Sequence, residues 1–566
     1  MPDLPPYVQF FDERSLSAAT LEAIARGTYE VRGRPTELVP PVDWRMDPID
    51  NHAWRFWFHT LQFLEYPLRL YRDRGDVDEL RRGLALLLDW IAQNQPGSET
   101  EGDYAWYDMS VGVRAPFVAY LWLAARHEGL LAAEEDERLR AAIRQHAAWL
   151  MEEENYRPDS NHGLYEDAGL LLLATWAREL PESEAWRDFV GARFLATLER
   201  HVQREEGLHL EHSPSYHFHV HELMARLYEA TGIGGDRLAV LLNQMERVAP
   251  WLILPDGTQL PLGDTDPQPA AAWARALPVQ HGMAALVRSG LVAVRHGEAH
   301  LSVTGAHHSS AHKHADELSW TLFEHGRLLV GEAGRYGHRS ERDPHRVYAR
   351  GAQGHNTLVV GGASFAWNGA PAYGTALTAA GAGGGWYAAT GANPLVGAGI
   401  EHRRLVLYRP GHAVVVVDDL AWIGDAPPDA LPPVERRVHA GPGLQARVRD
   451  GGFVLVDEEG AVLAEGRDWS ATPLTDLVLA HGQEQPRHEG WRYPRDQQAE
   501  PVWTTVLHGP FPDAPLVHAL SVAPRRLAGV SVAAGGAARV VHLDWGDGTE
   551  TVRIAAVGPV LSVVAG

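Results

Sequence analysis

Residues 76–95 read DVDELRRGLALLLDWIAQNQ, and this stretch decides how the first half of the chain folds. Its apolar residues Val77, Leu80, Leu84, Leu87, Leu88 and Ile91 recur at the period of one helix face. Asp76 and Glu79 stand as a capping pair at the start and Pro96 lies just past the end, so the spacing predicts a helix. Working outward, the same period recurs over about 51–72, 110–127, 134–153, 162–178, 183–205, 216–231 and 235–248, giving helical spacing from about Ser15 to Val248. The joints carry Gly, Pro, Asp or Asn, as in Asn94-Gln95-Pro96-Gly97 and Arg157-Pro158-Asp159-Ser160. Short joints between helices of similar length make neighbours antiparallel, and a long series of such hairpins must stack as a solenoid or curl round. The signature spacings of common helical repeats are not visible, which favours a curled (α/α) barrel.

Near Leu286 the rhythm changes. Gly290-Leu-Val-Ala-Val-Arg295, Ala413-Val-Val-Val-Val-Asp418, Phe453-Val-Leu-Val-Asp457 and Val540-Val-His-Leu-Asp544 are short, β-branched and bounded by turn formers. The chain is therefore expected to be multidomain, helical over 1–285 and stacked antiparallel sheets over 286–566. Residues 361–399, rich in Gly and Ala with Trp367 and Trp386 embedded, read as long loops between strands.

A chain of 566 residues is long enough for two large cores, and 45% hydrophobic with 22% charged residues is a globular composition. The net charge of −23 argues against a nucleic-acid partner. It leaves room for an anionic ligand, provided the cations are gathered in one cleft. Without cysteine there are no disulfides or thiolate metal sites. The start, MPDLPPYVQFFDERS, has no basic or apolar leader region and no window is long enough to span a membrane. As written, the chain is expected in the cytoplasm; removal of a leader would place the same sequence in the periplasm or outside the cell. A homo-oligomer is compatible with it.

The densest chemistry lies in residues 307–357, HHSSAHKHADELSWTLFEHGRLLVGEAGRYGHRSERDPHRVYARGAQGHNT. His312, His314 and Asp316 alternate with Lys313 and Ala315, so on an extended strand they would share one face. An apolar run then ends at Glu332, a basic loop carries Arg346, Tyr348 and Arg350, and His355-Asn356-Thr357 follows. A lone histidine on a strand is usually structural, whereas His312, His314, Glu332 and His355 together suit zinc or acid/base work.

In the helical half, Trp54, Phe56, Trp57, Phe58 and His59, and Trp106 and Tyr107 before Arg114, could stack on sugar rings or fill the core. Ser160-Asn161-His162-Gly163 could hold an anion at a helix start, or simply cap that helix. Tyr216, among His212, His217, His219 and His221, could be a proton carrier or part of a solvated surface.

Taken together, these residues resemble the heparinase II/III-like polysaccharide lyases over most of the chain. The matching marks are Asn161-His162, Tyr216 within HSPSYH, His312-Lys-His314-Ala-Asp316, the turn after Leu328-Leu329-Val330, Tyr348 before Arg350, and Gly354-His355-Asn356-Thr357. The resemblance implies an N-terminal incomplete (α/α) toroid followed by a C-terminal antiparallel β-sandwich. It implies a lyase that acts on acidic poly- or oligosaccharides, cleaving 1,4-linked uronates by β-elimination to leave 4,5-unsaturated ends. It further implies that Asn161 and His162 meet the substrate carboxylate, that Tyr216 and His312 exchange protons, and that Tyr348 lies near the reacting sugar. Arg350, Arg114, Trp106 and Tyr107 are the other expected substrate contacts. A structural divalent metal, zinc by its donors, is implied at His314 and His355, with Glu332 where the family normally places aspartate.

Two proton routes are open: Tyr216 as both base and acid, or His312 as base with Tyr216 as acid. A uronate C5-epimerase shares the first step. A glycoside hydrolase would use Asp108 and Glu166, and a glycan-binding protein would need only the aromatic cleft. Heparan-type, hyaluronate or chondroitin-type, alginate and exopolysaccharide substrates all fit. On this reading His312 supplies half a site, and the helical half supplies Asn161, His162 and Tyr216.

Overall fold

The computed structural model describes residues 4–11, 16–337, 342–365, 369–397, 399–425, 430–449, 451–535 and 538–566. Ser15 and Trp367 lie outside the described residues. Helices form where the spacing predicts: Val77–Gln93, Met109–His127, Ala133–Met151, Asn161–Trp176, Ser183–His201, Pro214–Thr231 and Gly235–Val248. Asp76 caps the first of these, accepting a hydrogen bond from Glu79 N at 3.1 Å. Residues 51–72, however, are not one helix. They divide into His52–His59 and Glu65–Arg74 because Leu61 turns left-handed at φ 54°, a strained conformation held by complete burial of its side chain. A small hairpin, Thr28–Val31 with Arg34–Glu37, precedes them.

Met109–His127 and Asn161–Trp176 are buried on almost every side, whereas Ala133–Met151 and Ser183–His201 bury a single face. The two buried helices touch through glycine. A Cβ on Gly169 would fall 2.1 Å from the Gly112 carbonyl oxygen, and one on Gly112 would fall 2.7 Å from the Tyr165 carbonyl oxygen. This contact aligns the two N-termini, where the polar residues of the helical half sit.

The chain divides into two compact units, Met1–Val202 with His219–Leu242, and Gln203–Phe218 with Asn243–Gly566. The division falls before the change of rhythm near Leu286. Leu208, Phe218, Leu252 and Leu260 share a core with Leu291 and Phe323, so helical residues are drawn into the β unit. Tyr216 therefore belongs to the same unit as His312, not to the helical one.

In the second unit, Gly282–Leu286, Leu291–His296, Ala299–Thr304, Trp320–Glu324 and Arg327–Val330 form an antiparallel sheet. Asp476–His481, Trp503–Gly509, Val434–His439 and Leu358–Val360 form a second, and a sheet of twelve strands is the third. Val292, Leu301, Val414, Val416 and Val438 of the three sheets meet in one core. The Gly- and Ala-rich segment contributes strands Leu377–Gly383 and Trp386–Gly397 to the large sheet rather than loops. Small residues suit it to close approach: a Cβ on Gly381 would lie 1.9 Å from the Leu561 carbonyl oxygen.

Two further expectations change. His312, His314 and Asp316 do not lie on a strand. They occupy an irregular connection between Ala306–His307 and Trp320–Glu324, with His312 at φ 53°. Arg346, Tyr348 and Arg350 lie not in a loop but on the helix Pro344–Arg350, started by Pro344 and capped by Asp343. Among the described residues, no helix is long and apolar enough to cross a membrane.

Gly169→Ala should destabilise the protein by about 1–3 kcal/mol, the usual scale for overpacking a close contact, read as a lower urea midpoint. A wild-type midpoint would show that the two helices can separate without loss.

Candidate functional site

In the helical unit, the polar group forms at the two aligned helix starts. Asp108 precedes Met109–His127 at φ 51° and ψ −150°, a strained conformation for a non-glycine residue. Its Oδ1 accepts from Met109 N at 2.6 Å and is bonded to His162 Nδ1 at 2.7 Å. Ser160 caps the second helix through His162 N at 3.3 Å, so the capping role also holds. Asn161 is buried at the same helix start, whereas the His162 side chain is 38% exposed. Burial would raise the Asp108 carboxyl, but His162, Met109 N and Arg157 together hold it below its ordinary range.

Glu166 lies one turn further into that helix and is enclosed. Its Oε2 accepts from Arg157 N at 3.0 Å and its Oε1 has no hydrogen-bond partner. Burial pushes its carboxyl up to about 8. Glu166 is thus a neutral interior acid, which does not suit the solvent-facing half of a hydrolase pair.

Arg114 is not on a cleft wall. It is fully buried, donating from Nε to His146 Nε2 at 2.9 Å, from NH1 to the His59 carbonyl at 2.6 Å and from NH2 to the Ala105 carbonyl at 2.7 Å. Its guanidinium lies 4.0 Å from the Trp90 ring centroid, so it braces helices. Trp54, Phe58 and His59 are core residues as well. Trp106 and Tyr107 do precede the helix in a loop. Trp106 is half-buried and donates to the Asn94 carbonyl at 2.8 Å, while Tyr107 is 48% exposed.

In the second unit, three chain segments cross at Gly263. With φ +51°, a Cβ there would lie 2.4 Å from the His212 carbonyl oxygen and 3.1 Å from that of His312. Glycine is required by both conformation and space. The crossing is tied further by His212 Nδ1 to the Ala311 carbonyl at 2.9 Å and by His308 N to His212 Nε2 at 3.0 Å. Ser213 Oγ donates to the Asp264 carbonyl at 3.1 Å. From this knot Pro214–Thr231 begins, and its first turn lays the Tyr216 ring face to face on His312, centroids 3.6 Å apart. Glu211 Oε2 lies 3.1 Å from His312 Nδ1.

Arg335 is a half-buried cation nearby, 3.7 Å from Asp266. Burial would lower its guanidinium, but Asp266, Tyr216, Asp264 and Asp496 facing it raise it.

His314 turns the other way, with Nε2 2.9 Å from Asp264 Oδ1 and its ring 5.3 Å from that of His355. His355 Nδ1 is bonded to the Glu332 carboxylate. His314 Nδ1 and His355 Nε2 are buried without a hydrogen-bond partner. These nitrogens are of a kind zinc takes, but the Glu332 carboxylate is engaged at His355 Nδ1, on the other edge of the ring from the orphaned Nε2, so the ligand atoms of His314, Glu332 and His355 do not converge on one point as they stand.

Tyr348 is buried. Its hydroxyl meets His439 Nε2 at 3.1 Å and accepts from Gly490 N at 3.2 Å, which places it between strands rather than against a sugar. Arg350 reaches the His312 segment through its backbone, its carbonyl accepting from Ala315 N at 2.8 Å.

Sequence reading misses Glu211, Asp264 and Arg335. Glu211 is legible only as a carboxylate beside the HSPSYH run, and Asp264 only as part of the Gly263-Asp264-Thr265-Asp266 turn.

The heparinase II/III N-terminus model matches residues 30–275, and the heparinase II/III-like C-terminal model matches 278–513. Among solved structures, heparinase III shares 15% identity at TM-score 0.75, over 98% of this chain and 94% of that one. The heparan sulfate lyase HepC from Pedobacter heparinus shares 16% identity at TM-score 0.69, over 97% and 92%. At these identities the likeness is one of fold. No curated protein matches the chain.

Because Glu166 is held neutral, it contributes stability that is complete below the ordinary carboxyl value of 4.5 and is lost as pH rises to about 8. Glu166→Gln, always neutral, should therefore gain on wild type in thermal melts between about pH 5 and about pH 9. The gain should reach a few kcal/mol, since each pH unit between the ordinary and the raised value is worth roughly 1.4 kcal/mol. A difference independent of pH would show that Glu166 is charged in the folded protein.

Proposed function

We propose, starting from a chain that belongs to the heparinase II/III-like family, that it cleaves 1,4-linked uronate glycans by β-elimination. The observation that carries the reading is Tyr216 stacked on His312, with Glu211 at the Nδ1 edge of the imidazole. Elimination needs a group to take the proton from C5 and a group to protonate O4 as the C4–O4 bond breaks. Tyr216 and His312 are the proton carriers. The Arg335 cation interacts with Tyr216, and the Glu211 carboxylate stands 3.1 Å from the imidazole Nδ1.

The C5 proton is α to a carboxylate, so its loss places further negative charge on that group. Asn161 and His162, at a helix start, are donors of the kind that meets such a carboxylate. Preorganised donors of this kind are typically worth about 3–4 kcal/mol each in the transition state. Tyr107, exposed in the loop before Met109–His127, is assigned to stacking on a sugar ring.

The finer architecture belongs to the same proposal. Fully buried helices alternating with half-buried ones support an incomplete (α/α) toroid, and a core shared by three sheets, antiparallel but for the pairing of Leu377–Gly383 with Val560–Ala565, supports a β-sandwich. A zinc ion on the expected set His314, Glu332 and His355 would require the Glu332 carboxylate to leave His355 Nδ1. Its chemistry there is structural, neutralising Glu332 and cross-linking the segments that carry the three ligands.

Incubation with a panel of uronate polysaccharides should give an ultraviolet-absorbing unsaturated product, and Tyr216→Phe should cut its formation by about 100-fold or more, the loss expected of a proton carrier. Wild-type rates in that variant would remove Tyr216 from the route. Exchange at C5 without absorbance would make the protein an epimerase. For the metal, His314→Ala should lower both bound zinc by elemental analysis and the melting temperature. Zinc-free wild-type protein that melts normally would contradict the assignment.

A further inference from the structure

The Asp108 carboxylate does more than start a helix, and its second partner shows what it does. One oxygen serves both Met109 N and His162 Nδ1, at 2.6 and 2.7 Å. Holding it there costs a positive-φ backbone at a non-glycine residue, a strain that capping alone would not need, since Asp, Ser or Asn cap from extended backbone. The close packing of Gly112 on Tyr165 and Gly169 brings the two helix starts together.

With Nδ1–H donated to Asp108, a neutral imidazole would have only a lone pair at Nε2 and could donate nothing there. An imidazolium has a proton at both nitrogens, and a buried carboxylate at Nδ1 favours that form. Charged groups near this pair include Glu166 on the same helix, which interacts with His162, Arg157 in the preceding loop, which interacts with Asp108, and Arg193 of Ser183–His201, which interacts with Glu166. Arg157 and Arg193 oppose a cation at His162. Glu166, enclosed and protonated, does not support one. Asp108 is the one group among these that does.

We propose that Asp108 is a positioning residue that holds His162 as an imidazolium, so that Nε2–H donates to the carboxylate of an acidic sugar. This rests on the lyase reading for the identity of the sugar, but not for the state of the ring. His162 is then a cationic hydrogen-bond donor and not the base. Charge-assisted donors are roughly twice as strong as neutral ones, and a substrate carboxylate that gains charge during elimination strengthens the bond as the reaction proceeds.

The test uses the full chain with ¹⁵N-labelled histidine, the His162 signal being assigned by its loss in His162→Gln. Asp108→Asn keeps an oxygen for Met109 N and removes the charge; Asp108→Ser is the second variant if the first does not fold. In wild type the His162 ring should titrate at least about one pH unit higher than in the variant, the lower end of the shift that an adjacent opposite charge produces. Identical titration in the two proteins overturns the proposal, whether or not the protein is a lyase. With a uronate polymer that wild type cleaves, the alkaline limb of kcat/KM should move to lower pH in Asp108→Asn, with activity recovering towards wild type in acid. A loss of rate equal at every pH would mean that Asp108 acts only through structure. If wild type yields no unsaturated product, the lyase reading fails and the titration still decides the role of Asp108.

Discussion

A chain that buries an irregular, charged segment must pair the charges in it, and the second unit depends on meeting that demand between His312 and Ser319. Lys313, His314, Asp316 and Glu317 are all buried there, outside any strand. Lys313 Nζ meets Asp316 at 2.5 Å and Glu317 at 3.1 Å, and Tyr373 donates to Glu317 at 3.0 Å. The backbone is held by Ala315 N on the Arg350 carbonyl and by Thr304 N on the Ser319 carbonyl. An uncompensated charge in this place would cost several kcal/mol, so the segment has little freedom to rearrange. His312 stands at its left-handed start, and its position against Tyr216 follows from that rigidity.

Asn356 carries the constraint outward. Its amide donates to the carbonyls of Trp320 and Gly331, its Oδ1 accepts from His439 N, and its own carbonyl accepts from Arg404. Those partners belong to or border the three sheets. Arg404 is in turn paired with the buried Asp418, whose carboxyl is held far below its ordinary range against burial by Arg404, His402 and Arg436. The segment that begins at His312 is therefore held by a polar network that reaches across the unit. The helical unit solves the corresponding problem by close packing, where glycines let two buried helices align Asp108 with His162.

Much of this is legible in the sequence, and the gaps have physical causes. Helical periodicity finds the long helices within a few residues because each buries a stripe or a whole surface. It fails at Leu61, where tertiary burial holds a strained turn that no local pattern announces. Alternation misleads at His312, His314 and Asp316. Polar residues spaced by two look like a strand face, but here buried ion pairs replace a ladder of backbone hydrogen bonds. Glycine and alanine in 361–399 look like loop formers, whereas the strands there need small residues to pass close to Leu561 and Val563. Residue type marks Arg114, and the family resemblance marks Tyr348, as substrate contacts, but neither reveals that the guanidinium or the phenol is enclosed. Tyr216, His312, Asn161 and His162 stand out because several marks in one order constrain one another. Glu211, Asp264 and Arg335 each stand alone.

The central claim is that the bond breaks by elimination with Tyr216 and His312 as proton carriers. It is tested most directly by mass spectrometry of products formed from a uronate oligosaccharide in ¹⁸O-labelled water. The account predicts fragments whose masses sum to that of the substrate, one of them unsaturated and neither carrying ¹⁸O. Fragments that together exceed the substrate by one labelled water would show hydrolysis and contradict it.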